Sequence, residues 1–547
     1  MLSLAPNLSR EPVSFDAPLR QPLRFREAIS ALHDMVISDL RFKPRDKSAY
    51  EEWKKSERSR VTSLRQQAYQ QARQEILARR GEAVPPDLEK QFGHYRSVYW
   101  NARQQYASYL LKNDPQLWRL LMPCDPVITV AEDVVFFECF SADESSYGCL
   151  SVNREAAFGK AAETRLGTTN VDYSWDLYDH FQSLRSYRET RFRVDPAGFT
   201  VATEGQADYR EEKIDLPEGW LRGFMQTQAA MTLPARRVTL TQEAIYSILA
   251  FLKRHKARKS PRALRFELVA GRPPMLVLEP WEQRVPVYGE AVGTSCEPIR
   301  IWGRQRLLAL ARVLPLTTQF QVYLLGTGLP SFWIAEMGDM QLTLGLSGWT
   351  TNDWTRGSAL DLLAPPAQPS RELIGQAAQF LQSRRAAAFA DVDLACGGQP
   401  ARTAAALNHL AHTGQVIHDL PNALYRWRPI MPQALGEAEL GPENPELAAS
   451  KEILVRKKAK IDSRATAAGG VLVTGVAAGK PVELFLNADG LIKRGKCVCS
   501  HHYQFGLRTG PCRHLLALRT LAMRDQQSGV ENSLTAWYEQ LKNFTAT

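Results

Sequence analysis

Three cysteines and one histidine within residues 497–514, namely Cys497, Cys499, Cys512 and His514, have the types and spacing of a metal site. Thiolate and imidazole are the ligands of tetrahedral Zn²⁺, and a full Cys₃His set leaves no open position for catalysis, so one structural Zn²⁺ is expected. Spacing decides whether the donors can converge. Residues two apart in a strand share a face, so a strand over 491–499 can aim Cys497 and Cys499 at one ion. In a helix two residues apart are rotated by about 200°. Cys512 and His514 therefore converge only if Cys512 precedes a helix that starts near Pro511, with His514 in its first turn. A helix start also favours a thiolate. His501 and His502, on the loop after Cys499, are the alternative source of a fourth ligand; the tight spacing of His514 with Cys512 favours His514.

Three thiolates on one Zn²⁺ leave a net negative charge, which Lys493, Arg494, Lys496, Arg508 and Arg513 surround and can offset. The elements that must position the ligands are legible nearby. Val471 to Leu486 alternates around a turn at Gly475–Pro481 and reads as a hairpin, with Leu491 to Cys499 as a third strand. Leu515, Leu518 and Ala522 form the stripe that would pack the helix onto it. Ahead of the hairpin, Lys451 to Arg464 is basic, and is either a solvated face or a phosphate-contacting arm. Arg456, Lys457, Lys458 and Lys460, with the five cations above, are the candidate nucleic-acid contacts. Residues 451–547 hold 15 Lys/Arg against 7 Asp/Glu, so this segment supplies +8 of the chain's +10.

Cys497-Val-Cys499, twelve residues, then Cys512-Arg-His514 fits Cys-x-Cys-xₙ-Cys-x-His and resembles the SWIM zinc finger. The run Gly510-Pro-Cys-Arg-His-Leu-Leu-Ala-Leu518 is similar to that family's second half, and Phe505 stands where an aromatic is common. The likeness covers under a tenth of the chain. It implies DNA binding or protein–protein contact, the roles associated with SWIM domains in transposase-related proteins, helicase-like ATPases and ubiquitin-pathway proteins. The layout is similar to stand-alone bacterial SWIM proteins, some of which accompany MoxR-type AAA ATPases and von Willebrand A proteins.

The remaining chain, 547 residues in all, is too long for one core. An α+β, multidomain fold is expected. Residues 1–118 read as helical, with a hairpin carried by stripes at Val61–Ile76 and Leu88–Tyr109. Residues 119–363 read as mixed α/β, with strands at Val127–Phe140 and in a meander over 320–346, and helices at Thr241–Lys256 and Gly303–Leu314. Residues 371–430, between linkers at 364–370 and 431–450, read as three helices and a hairpin, a layout that resembles a winged helix. Its third helix, Pro400 to His412, would present Arg402, Asn408, His409 and His412 to a major groove, with Arg426 and Arg428 on the wing. A ββα-type zinc module over 451–547 closes the chain.

Hydrophobic residues at 44% and charged residues at 23% are those of a soluble globular protein. No run approaches the ~18 apolar residues of a membrane span, and Arg10 and Glu11 interrupt any leader. No membrane association and a cytoplasmic location are therefore expected. Cys124, Cys139, Cys149, Cys296 and Cys396 stand singly and read as small hydrophobes. Gly475 to Lys480 lacks the spacing and Ser/Thr of a phosphate loop, and Gly326-Thr-Gly328 lacks a third glycine. Glu267 and Glu279 on neighbouring strands read as salt-bridged carboxylates, and no zinc-protease motif occurs. The expected function is a non-enzymatic nucleic-acid-binding protein, DNA favoured. The alternatives are a protein-interaction subunit of a larger assembly and an enzyme with its site in 120–363.

Overall fold

The computed structural model describes residues 12–36, 94, 98, 126–141, 144–171, 175–195, 198–205, 208–212, 218–233, 235–257, 261–288, 290–325, 330–347, 365, 369–431, 445–467, 470–486, 492–507, 511–524, 534–535 and 537–539. The chain divides into two compact units, one of 1–8 and 40–122 and the other of 9–39 and 123–547. The expected N-terminal helical hairpin lies outside the described residues. Helices and several antiparallel sheets make up the second unit, a mixed α/β architecture.

Its centre is an eight-stranded sheet built from Val127–Val130 (β1), Val134–Phe140 (β2), Ser146–Asn153 (β3), Gly167–Asn170 (β4), Arg236–Leu240 (β5), Gln319–Leu324 (β6), Ser331–Glu336 (β7) and Met340–Leu346 (β8). The order is β5-β6-β7-β8-β3-β2-β1-β4. Val134 to Phe140 is apolar at nearly every position because the sheet is covered on both faces. Cys139 and Gly148 face helix α1 (Pro22–Val36), where a Cβ on Gly148 would lie 2.7 Å from Leu32 Cδ1. Glu138, Phe140 and Tyr147 face the opposite way. Phe140 there meets Phe224 of helix α2 (Glu218–Met231), ring centroids 4.9 Å apart. Helix α3 (Gln242–Arg254) starts at the Thr241 cap, and the meander over 320–346 is β6–β8. Gly303 to Leu314, expected as a helix, is helical in the tighter 3-10 form over Arg304–Ala311, with a second 3-10 helix over Leu314–Leu316.

Two further sheets flank this core. One has five strands, among them Ser14–Pro18 and Thr190–Asp195; the other has four, among them Leu264–Glu267 and Met275–Leu278. In the second, buried Glu279 is bracketed by Arg265 and Arg300, and Glu267 pairs Arg265 and Arg284, so both carboxylates are salt-bridged.

Residues 371–427 run α4 (Arg371–Arg384), β9 (Ala386–Ala388), α5 (Phe389–Ala395), α6 (Pro400–His412), β10 (Val416–Asp419) and β11 (Leu424–Trp427). The sheet order is β9-β11-β10. Strand β9 was not expected: Arg385 adopts φ +62°, ends α4, and turns the three alanines into register with Leu424–Arg426. After 431 come α7 (Pro445–Val455), then a sheet of β12 (Ala459–Ala467), β13 (Gly470–Ala477), β14 (Lys480–Leu486) and β15 (Ile492–Cys497), with α8 (Ser500–Phe505) and α9 (Arg513–Arg524). This module has its own core, in which Val473, Val482 and Leu484 meet Leu515, Leu518 and Ala522. Beyond it, Leu534 and Trp537 are buried in the main core, and Tyr538 stacks on Phe389 at 6.3 Å.

Candidate metal centre

Three short segments bring the ligands together. Cys497 closes β15, opposite Val482 on β14. Cys499 has left the strand and caps α8, its Sγ accepting the His502 backbone N–H at 3.3 Å. Cys512 directly precedes α9, where its carbonyl accepts from Leu516 N–H at 3.0 Å, and His514 stands in the first turn. The arrangement at α9 is the one that the spacing required. At the first pair the strand supplies Cys497 alone, and a helix start supplies Cys499.

All four residues are buried, Cys512 completely, and their donor atoms lie within 4.8 Å of one another. Tetrahedral coordination at a Zn–S distance of about 2.3 Å would put the sulfur atoms about 3.8 Å apart, so the cluster needs only slight contraction to close on an ion. His514 Nδ1 is buried without a hydrogen-bond partner, as a nitrogen waiting for a metal would be. The cluster can therefore hold one metal ion. Burial raises the Cys497 and Cys512 thiols, Cys512 strongly, which opposes thiolates here in the absence of a cation. His501 and His502 lie in α8, half-buried, and not on a surface loop.

Close packing under the site depends on two glycines. A Cβ on Gly495 would lie 2.8 Å from Leu515 Cδ2, and one on Gly475 would lie 2.7 Å from Leu518 Cδ1. Their absence of side chains lets α9 lie directly on the sheet. Helix α7 packs on α9, and Glu446 accepts both the Arg513 backbone N–H at 2.7 Å and its Nη2 at 2.5 Å. Burial alone would raise Glu446, but the bonds from Arg513 outweigh it and hold the carboxyl below its ordinary range.

The nine candidate nucleic-acid contacts separate into three groups. Arg508 lies outside the described residues, as does the Lys493 side chain. Three are committed to carboxylates: Arg513 to Glu446, Arg456 to Glu452 at 2.5 Å and Lys496 to Glu483 at 3.1 Å. Lys457, Lys458, Lys460 and Arg494 are exposed, and Arg494 lies over the Phe485 ring at 5.2 Å. Lys451 to Arg464 is not a bare arm; it is the end of α7 and the first half of β12.

Three of the six side chains expected to face DNA on residues 371–430 are spent on the core. Asn408 Nδ2 donates to Ala229 O and Thr232 Oγ1, both at 3.0 Å. Arg426 is buried, with two bonds to Asp133 at 2.6 and 2.9 Å and one to Asp419 at 2.8 Å. Arg428 bonds buried Glu138 at 2.7 Å, and Glu138 also accepts from Tyr147 Oη at 2.6 Å. Arg402 and His412 remain exposed and His409 half-buried. The expectation that Asn408, Arg426 and Arg428 face DNA fails because carboxylates and carbonyls of the central domain have taken them.

Within 120–363, a cavity of about 170 Å³ runs between Arg236–Thr239 and Glu290–Thr294; its lining has two arginines and one glutamate but no His, Cys or Lys. Cys139, Cys149 and Cys396 are buried and Cys296 half-buried; Cys124 lies outside the described residues. Among the described residues no helix is long and apolar enough to cross a membrane.

No family model matches this chain. No curated protein matches it. Among solved structures, the Proliferating Cellular Nuclear Antigen of Entamoeba histolytica is similar at a TM-score of 0.30 and 12% identity, over 41% of this chain and 88% of that one, a likeness that carries no assignment.

Proposed function

We propose that the chain is a non-enzymatic binding protein in which residues 445–524 form a SWIM-type zinc module that contacts nucleic acid, DNA first. The carrying observation is that Lys457, Lys458 and Lys460 stand exposed in near succession on the module that holds the ligand cluster, with no ion pair among the described residues. Cations left to solvent beside a rigid scaffold are what phosphates bind. Three thiolates and an imidazole in a closed set favour zinc over oxygen-seeking cations. The ion would fix the fold of the module and take no part in chemistry. The winged-helix-like layout of 371–430 is, in this reading, a structural part of the core.

The test is binding of a labelled DNA by the zinc-loaded chain as salt rises. With about four phosphate contacts, affinity falls about a hundred-fold between about 50 and 200 mM salt, and Gln at positions 457, 458 and 460 flattens that dependence. Salt-insensitive binding, or none at low salt with zinc loaded, overturns the reading. Metal analysis tests the zinc: one Zn²⁺ per chain, absent from Cys512→Ala, is expected, and a metal-free natural chain refutes it.

A second reading, an assembly subunit that could work with an AAA ATPase or a von Willebrand A protein, is favoured by Val498 and Tyr503, 67% and 90% exposed on the same module. A partner retained after nuclease treatment supports it; loss of every partner counts against it.

A further inference from the structure

The sheet of the zinc module has one face covered by α9 and, among the described residues, one open face. Gly475, Val482 and Cys497 stand side by side across β13, β14 and β15 and look toward α9, as do Val473, Leu484 and Gly495. The intervening residues point the other way. Ser463, Thr474, Glu483 and Lys496 form one row of that outer face, and Ala465, Leu472, Phe485 and Arg494 form the next. Lys460 begins a third row with Val476 and Pro481. The outer face thus carries three cations, one of them the Arg494 guanidinium laid over an aromatic ring, and one carboxylate, Glu483, which pairs Lys496.

We propose that this face binds single-stranded nucleic acid, with a base stacked on Arg494 and a phosphate held by Lys460. The inference rests on the reading that the module contacts nucleic acid, and it names which kind. Three features favour a single strand over a duplex. Helix α9 is buried from His514 through Arg519, between the sheet and α7, so this stretch offers no free side to a major groove. The sheet is also too broad: four strands at about 4.8 Å span about 14 Å between the outer two. The major groove is about 12 Å wide and takes one helix or a two-stranded ribbon. Finally, an open sheet bearing a planar group suits splayed bases, which stack on aromatic rings or guanidinium planes. Phe485 is only 9% exposed, so the stacking surface is the guanidinium that lies on it.

The test compares one labelled oligonucleotide of about 16 nucleotides, single-stranded and as its duplex, on the zinc-loaded full chain. Single-strand binding tighter by about ten-fold or more is expected. Arg494→Lys keeps the charge and removes the plane, so it should cost about ten-fold on the single strand and leave the duplex unchanged. Arg494 is exposed, and the variant should keep the zinc content of the natural chain. Duplex binding equal to or tighter than single-strand binding, or no effect of Arg494→Lys on the single strand, overturns this inference. Duplex binding alone leaves the broader nucleic-acid reading standing, whereas binding of neither form removes both.

Discussion

His33 is 2% exposed, and burial, reinforced by the Arg312 charge, lowers its pKa to about 4. Unfolded, it titrates near 6.5. Between these values the unfolded chain binds the extra proton, so the stability contributed by neutral His33 is full above about pH 6.5. It is lost as pH falls toward 4. The expected loss from this residue is of the order of 3 kcal/mol. Denaturant midpoints at several pH values check it: His33→Gln should remove that part of the slope, and an unchanged slope would refute the assignment. Single residues were legible in the sequence only where their partners were close along the chain. Cys497, Cys499, Cys512 and His514 could be read because four soft donors fall in two close pairs, although the shared strand face expected of the first pair holds for Cys497 alone. Arg426 and Arg428 looked like wing cations because Asp133 and Glu138, which neutralise them, lie 293 and 290 residues away.

At the scale of elements, Gly475 is the sharper of the two glycines beneath α9. A Cβ there would stand 2.2 Å from the Lys460 carbonyl oxygen on β12, a backbone atom that cannot rotate aside. Gly475→Ala should therefore open the β12–β13 ladder, destabilise the module by about 1–3 kcal/mol and weaken metal retention. Competition with a chelator measures it, and wild-type retention would show that the strands yield freely. Helix α6 was legible from end to end, since Pro400 opens it and Gly414 lies just past its last turn. Strand β12 was not, because Lys460 and Arg464 on an edge strand carry the same polarity as a solvated arm. Alanines 386–388 have helical propensity, and only pairing with β11 makes them a strand.

At the scale of the molecule, the zinc module and the main body bury separate apolar clusters. Chelation should unfold residues 445–524 and leave the eight-stranded sheet intact, because the ion supplies binding energy of about 10–16 kcal/mol to the small core alone. Hydrogen exchange should show β12–β15 losing protection while β1–β8 keep theirs; loss across both would mean the two cores fold as one. The order of the large sheet was beyond sequence reasoning, since β8 pairs with β3 across the whole flanking region, Met340 opposite Val152. Alternation identifies strands and says nothing about which distant strand lies beside them. Leu534 and Trp537, buried back in the main core, have a mechanical consequence. Ten peptide steps separate Arg524 from Leu534, which no stretching can extend beyond about 36 Å. The module is thus leashed at its exit as well as joined at its beginning, and whatever it grips is delivered at high effective concentration to the surface of the core that holds the leash.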